Sequence, residues 1–232
     1  MRLAGLQKTS VIDFPDQISA VVFTQGCNFH CSYCHNSQLI PLKLPSGKEL
    51  MPESYFFGFL EQRQNLLDGV TITGGEPLLQ SDLKDFLFKI KNDYNLLIKL
   101  DTNGSNSSEL KKLMEADLID YLAVDLKFSW SNYKQLAPEA LVSEIKSSVE
   151  LIIDSNLDYE FRTTVVPSLH DKEELEKIAQ QIKGAEKYFV QNFRPVNTLD
   201  PGLKDQRSFA PSELEKFKLA AEKYLKNVQI RD

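Results

Sequence analysis

The chain has 232 residues, 42% of them hydrophobic and 26% charged, which suits a soluble globular protein with a full core. Its net charge of −6 argues against a broad nucleic-acid surface, because phosphate binding needs clustered Lys and Arg. No stretch approaches the ~20 apolar residues of a membrane span, and the start, residues 1–13, lacks the basic and long apolar regions of a signal peptide, so the expected location is the cytoplasm.

In chain order, short apolar, β-branched runs alternate with segments of helical period. Strands are expected over 18–25, 69–73, 96–101, 121–126, 159–166 and 188–193. Helices are expected over 52–67, 81–92, 107–116, 138–156, 171–183 and 211–226, the last with Ser212 as N-cap after Pro211. Six strands separated by helices predict an α/β fold: a parallel sheet with outer helices, wound by right-handed crossovers. Six units are too few for the eight-fold barrel, so a partial (β/α)6 barrel is expected. Residues 1–232 are read as a single domain, with an N-terminal extension at 1–17, a barrel core at 18–195 and a C-terminal loop and helix at 196–232. In parallel α/β architectures the site lies at the C-terminal ends of the strands. Here the polar and glycine-bearing residues do follow the strand runs.

The first run leads into Cys27-Asn28-Phe29-His30-Cys31-Ser32-Tyr33-Cys34-His35, and these three cysteines are all the chain has. Three thiols this close leave no scope for a disulfide framework and ask for a metal. The C-x3-C-x2-C spacing can ligate three irons of a four-iron, four-sulfur cubane and leave the fourth open. A competing reading is a Cys3His zinc site completed by His30 or His35, the mark of an interaction module. Zinc ligands, however, usually come as two spaced pairs.

Further along, Thr73-Gly74-Gly75-Glu76-Pro77 places two glycines where backbone can approach a ligand closely. Asp101-Thr102-Asn103-Gly104 puts Thr102 and Asn103 on the same rim. Asp125 and Lys127 alternate across Leu126 and so share a face. A Lys on a covered face needs a partner, either Asp125 or a ligand carboxylate. Arg162 sits inside the fifth run, where a fixed carboxylate would explain it: Glu160, another core acid, or a ligand. Val166 and Pro167 offer an apolar wall. His170 reads as a surface loop histidine, and Trp130 and Tyr133 as packing residues or part of a docking loop.

The C-x3-C-x-aromatic-C loop with Tyr33, followed by the GGEP tetrapeptide after the second run, resembles the radical S-adenosylmethionine (SAM) superfamily. That resemblance implies a 4Fe-4S cluster on Cys27, Cys31 and Cys34, with SAM on the open iron. It also implies one-electron cleavage of SAM to a 5′-deoxyadenosyl radical. Candidate SAM-binding residues are Tyr33, His35, Gly74, Gly75, Glu76, Thr102, Asn103, Asp125, Lys127, Arg162 and Gln191. The segment from Gly5 to Pro15, together with 22–27, 99–104 and 160–167, is similar to the glycyl-radical-enzyme activases. Among these it is most like the form that activates anaerobic ribonucleoside-triphosphate reductase. The resemblance implies a glycyl-radical enzyme as protein substrate and an external flavodoxin or ferredoxin as electron donor; the net charge and the lack of a long apolar stretch leave neither nucleic acid nor membrane as an expected partner. A radical enzyme acting on a small molecule, such as a deazapurine synthase, is the enzymatic alternative. Two departures stand out. Asp16 replaces the family's usual Gly after Pro15. Gln191 stands where related activases place a His.

Overall fold

A computed structural model describes residues 1–44 and 46–232. Among the described residues there are eight strands, mostly parallel and taken in chain order, with helices outside them. This is the expected α/β class. The residues divide into two compact units: Met1–Asn28, Gln38–Thr102 and Ser108–Leu122 form the first, and Phe29–Ser37, Asn103–Ser107 and Ala123–Asp232 the second.

In the first unit, β1 (Leu3–Ser10) runs antiparallel to β2 (Ser19–Thr24). β2 pairs in parallel with β3 (Gly69–Gly74), and β3 with β4 (Leu97–Thr102). β1 falls within the stretch expected to be a simple extension. Its Gln7, Lys8 and Thr9 are exposed, so it lacks the continuous apolar run that marks a strand covered on both faces. Helix α1 (Glu53–Arg63) joins β2 to β3, and α2 (Leu83–Tyr94) joins β3 to β4. Phe56, Phe57 and Phe86 meet with ring centroids 5.3 Å apart, so the two helices share one aromatic seam. α2 ends at Asn95, whose φ of 53° is the left-handed conformation that Asn tolerates. Helix α3 (Ser107–Glu115) leads to β5 (Tyr121–Asp125), and the division between the units runs through this strand.

In the second unit, α4 (Glu139–Ile153) precedes β6 (Asp158–Val165), which pairs in parallel with β7 (Tyr188–Asn192). Between them lies α5 (Lys172–Gln181), capped by the Asp171 carboxylate, which accepts from Glu174 N. α6 (Pro211–Ala221) leads to β8 (Val228–Arg231), parallel to β7. The four-residue β8 lies outside the six expected runs, being too short to show one. Ser212 is not the cap of α6. Ala210 holds that position, Pro211 opens the helix, and the Glu213 carboxylate accepts from Ala210 N at 2.9 Å.

Candidate functional site

The first unit brings the start of the cysteine loop against the glycine pair. Gly26 N donates to Leu39 O and Cys27 N to Ile40 O. Gly75 N donates to Thr24 O at 2.9 Å and Glu76 N to Gly26 O at 2.8 Å. A Cβ on Gly75 would lie 2.1 Å from Gly26 O, and one on Gly74, with φ of 112°, would lie 2.4 Å from Thr24 N. Glycine is therefore required twice, once by close approach and once also by conformation. Glu76 is buried. It accepts from Leu78 N at 3.0 Å and from the Thr102 hydroxyl at 2.6 Å, so it braces its own loop to the end of β4. Cys27 is half-buried and forms no disulfide among the described residues.

The second unit holds Cys31 and Cys34, also half-buried and without a disulfide, in a turn closed by Cys34 N to Cys31 O. Ser32 O accepts from Asp200 N at 2.8 Å, which ties this turn to the segment after β7. His35 is exposed; its Nε2 lies 2.8 Å from Arg194 O and its ring stacks on Phe193. Tyr33 packs into a buried cluster with Val166, Phe193 and Leu203. Its hydroxyl is buried and has no hydrogen-bond partner among the described residues. Burial pushes this phenol well above its ordinary range.

Asp125 pairs with two cations of the second unit. Arg162 grips it with two bonds, Nε to Oδ1 at 2.7 Å and Nη2 to Oδ2 at 3.2 Å, while Lys127 Nζ lies 3.4 Å from Oδ2. Burial alone would raise the Asp125 carboxyl, but Arg162 and Lys127 together pull it well below the usual carboxylate range. Glu160, 1% exposed, lies 3.8 Å from Arg162 Nη1 and is held by Arg231 with two bonds of 2.9 and 3.2 Å. So Arg162 takes a core acid as its main partner, and Glu160 belongs chiefly to Arg231. These five side chains comprise three cations and two carboxylates, an excess of one positive charge. Burial raises the thiols of Cys31 and Cys34. Lys127 opposes the rise in both, and Asp125 adds to it. A bound metal would supply the charge needed to hold them as thiolates.

Asn103 turns its carboxamide onto its own loop, accepting from Ser105 N at 2.9 Å. Gln191 is half-buried on β7, opposite Arg231 of β8. His170 is not a surface residue: it is 3% exposed, and burial lowers its pKa. Tyr133 is fully buried and its hydroxyl accepts from Lys127 N, which makes it a packing residue with a polar tip. Nothing in the local sequence marks His170 or Arg231, since the Lys127 carbonyl and the Glu160 carboxylate that they meet lie far along the chain.

Within the second unit, two half-buried thiols, an orphaned buried hydroxyl and a net positive cluster suit a metal and a polar, carboxylate-bearing ligand, and the first unit carries the third half-buried thiol, Cys27. Comparison with known proteins agrees. A profile of the radical SAM superfamily matches residues 21–182. A protein of Methanocaldococcus jannaschii named "Putative glycyl-radical enzyme activating enzyme" is 33% identical over 99% of this chain and 95% of its own length. The pyruvate formate-lyase-activating enzyme of Clostridium pasteurianum is 28% identical over 98% of both chains. Among solved structures, Streptococcus suis SuiB matches with a TM-score of 0.67 at 15% identity. The match covers 91% of this chain and 48% of SuiB, so the likeness concerns the fold. Cys27, Cys31 and Cys34 form the C-x3-C-x2-C motif, and the family's cofactors are a 4Fe-4S cluster and SAM. The chain belongs to the radical SAM superfamily and is a radical SAM enzyme.

Proposed function

We propose that this chain is an activase that takes a hydrogen atom from a backbone glycine Cα of a larger partner enzyme, and that the partner is anaerobic ribonucleoside-triphosphate reductase. The observation that carries the reading is likeness along the whole chain to relatives named as activating enzymes. The segment from Gly5 to Pro15 supports the choice of partner.

Cys27, Cys31 and Cys34 would hold the cluster. When bound, cluster and SAM supply a carbon-centred radical that accepts the hydrogen atom. The chain's own residues bind and orient. The Gly74–Gly75 backbone receives the amino end of the methionine, with Glu76 and Thr102 bracing that loop. Lys127 and Arg162, balanced by Asp125, meet the carboxylate. Tyr33, His35, Asn103 and Gln191 border the nucleoside. With only three cysteines in the sequence, the electron comes from a separate flavodoxin or ferredoxin. In this reading residues 1–232 work as one domain in the cytoplasm, with neither nucleic acid nor membrane as partner.

The test is anaerobic reconstitution with iron and sulfide, reduction, and electron paramagnetic resonance with and without SAM. The product is then mixed with purified anaerobic reductase or with pyruvate formate-lyase. A glycyl radical on the reductase alone supports the full proposal. One on pyruvate formate-lyase alone keeps the activase and changes the partner. A radical on neither, with turnover of a small molecule instead, removes the activase reading.

A further inference from the structure

The peptide of Lys127 is gripped from both sides by buried side chains. Its N–H donates to the Tyr133 hydroxyl at 2.8 Å, and its carbonyl lies 2.8 Å from His170 Nε2. Val166 N–H donates to His170 Nδ1 at 3.1 Å, so Nδ1 is the acceptor. The ring proton therefore sits on Nε2 and points at the Lys127 carbonyl.

Neither grip is free to swing. The His170 ring stacks on Phe128 at 5.1 Å and 11°, and Tyr133 meets Phe128 edge-on at 6.3 Å. The turn that carries Tyr133 is anchored in turn. Buried Glu174 accepts from Ser129 N at 2.6 Å, Ser129 Oγ at 2.9 Å and Asn132 Nδ2 at 2.6 Å, and Tyr133 N donates to Ser129 O. Lysine has a flexible four-carbon stem. Where its ammonium rests depends on where its Cα is held. Here Nζ lies 3.4 Å from Asp125 Oδ2.

We propose that His170 and Tyr133 are positioning residues, which clamp the Lys127 peptide so that its ammonium stays aimed at the carboxylate of the bound cofactor. The proposal rests on the assignment of Lys127 made above. Such outer supports typically change ligand affinity about tenfold when removed.

The experiment compares wild type with Tyr133→Phe, His170→Ala, His170→Gln, Lys127→Ala and the Tyr133→Phe/Lys127→Ala double variant, each reconstituted anaerobically. Three quantities are read: iron per chain, SAM dissociation constant, and hydrogen exchange of the Lys127 amide. The expected result is unchanged iron, faster exchange, and about tenfold weaker SAM binding for Tyr133→Phe and His170→Ala. His170→Gln recovers most of the affinity, since a carboxamide can donate and accept at the same two places. The double variant binds no more weakly than Lys127→Ala alone, because the clamp acts through that lysine. Wild-type affinity in Tyr133→Phe and His170→Ala, beside weakened Lys127→Ala, overturns the clamp and leaves the Lys127 assignment intact. Wild-type affinity in Lys127→Ala removes the assignment and the proposal with it. Protection of the Lys127 amide that is unchanged in Tyr133→Phe also overturns the clamp.

Discussion

At Gly75 a single methyl group decides whether the loop can form. Its Cβ would meet Gly26 O at 2.1 Å and Gly26 C at 2.7 Å, both backbone atoms that cannot yield without moving Cys27. Gly75→Ala should therefore cost about 1–3 kcal/mol of stability, the usual range for forced overpacking, measured by urea unfolding of the apo-chain. Iron uptake on reconstitution should fall with it. His170 gives a pH signature. Its folded pKa lies below the unfolded value near 6.5, so below about pH 6.5 the unfolded chain binds more protons than the folded one. The apo-chain should lose stability as pH falls from about 6.5 toward the folded pKa. His170→Gln should lack that part of the slope. Parallel pH profiles for the two proteins would refute the burial argument.

Strand β8 matters beyond its four residues, because Arg231 supplies two bonds to the nearly inaccessible Glu160. Arg231 also lies over the Phe189 ring at 3.9 Å. Arg231→Ala leaves a buried carboxylate with Arg162 Nη1 at 3.8 Å, and should cost about 1–3 kcal/mol in thermal or chemical unfolding. It should also draw Arg162 away from Asp125, which would appear as weaker SAM binding. Arg231→Lys should recover stability only in part, since an ammonium cannot form the two-bond fork. At α5, Asp171→Ala removes the side-chain acceptor for Glu174 N and should cost about 1 kcal/mol by the same measurement. Its neighbour Glu174 would then hold Ser129 and Asn132 less firmly, and exchange of the Lys127 amide reports that.

For the whole molecule, reconstituted wild type should bind about four irons per chain. Ala at any of Cys27, Cys31 or Cys34 should abolish the SAM-dependent resonance signal while leaving the apo-fold intact by circular dichroism. Fully retained signal in any one variant would remove that cysteine from the ligand set. The α/β class, six of the strands, the six helices, the cysteine trio and the glycine pair were all legible in the sequence. Each is written locally: apolar runs of strand length, segments of helical period, and rare residues at fixed spacing. β1 and β8 were not legible, because an exposed edge strand and a four-residue strand carry no comparable run. Tertiary structure alone decided that Glu76 braces Thr102, that Arg162 takes Asp125 while Glu160 takes Arg231, and that His170 is buried against the Lys127 carbonyl. Those choices join residues 26 to 71 positions apart. Burial makes them selective, since a charge or ring nitrogen taken out of water must find whichever complementary group the fold brings within reach, and no local pattern records which one that is.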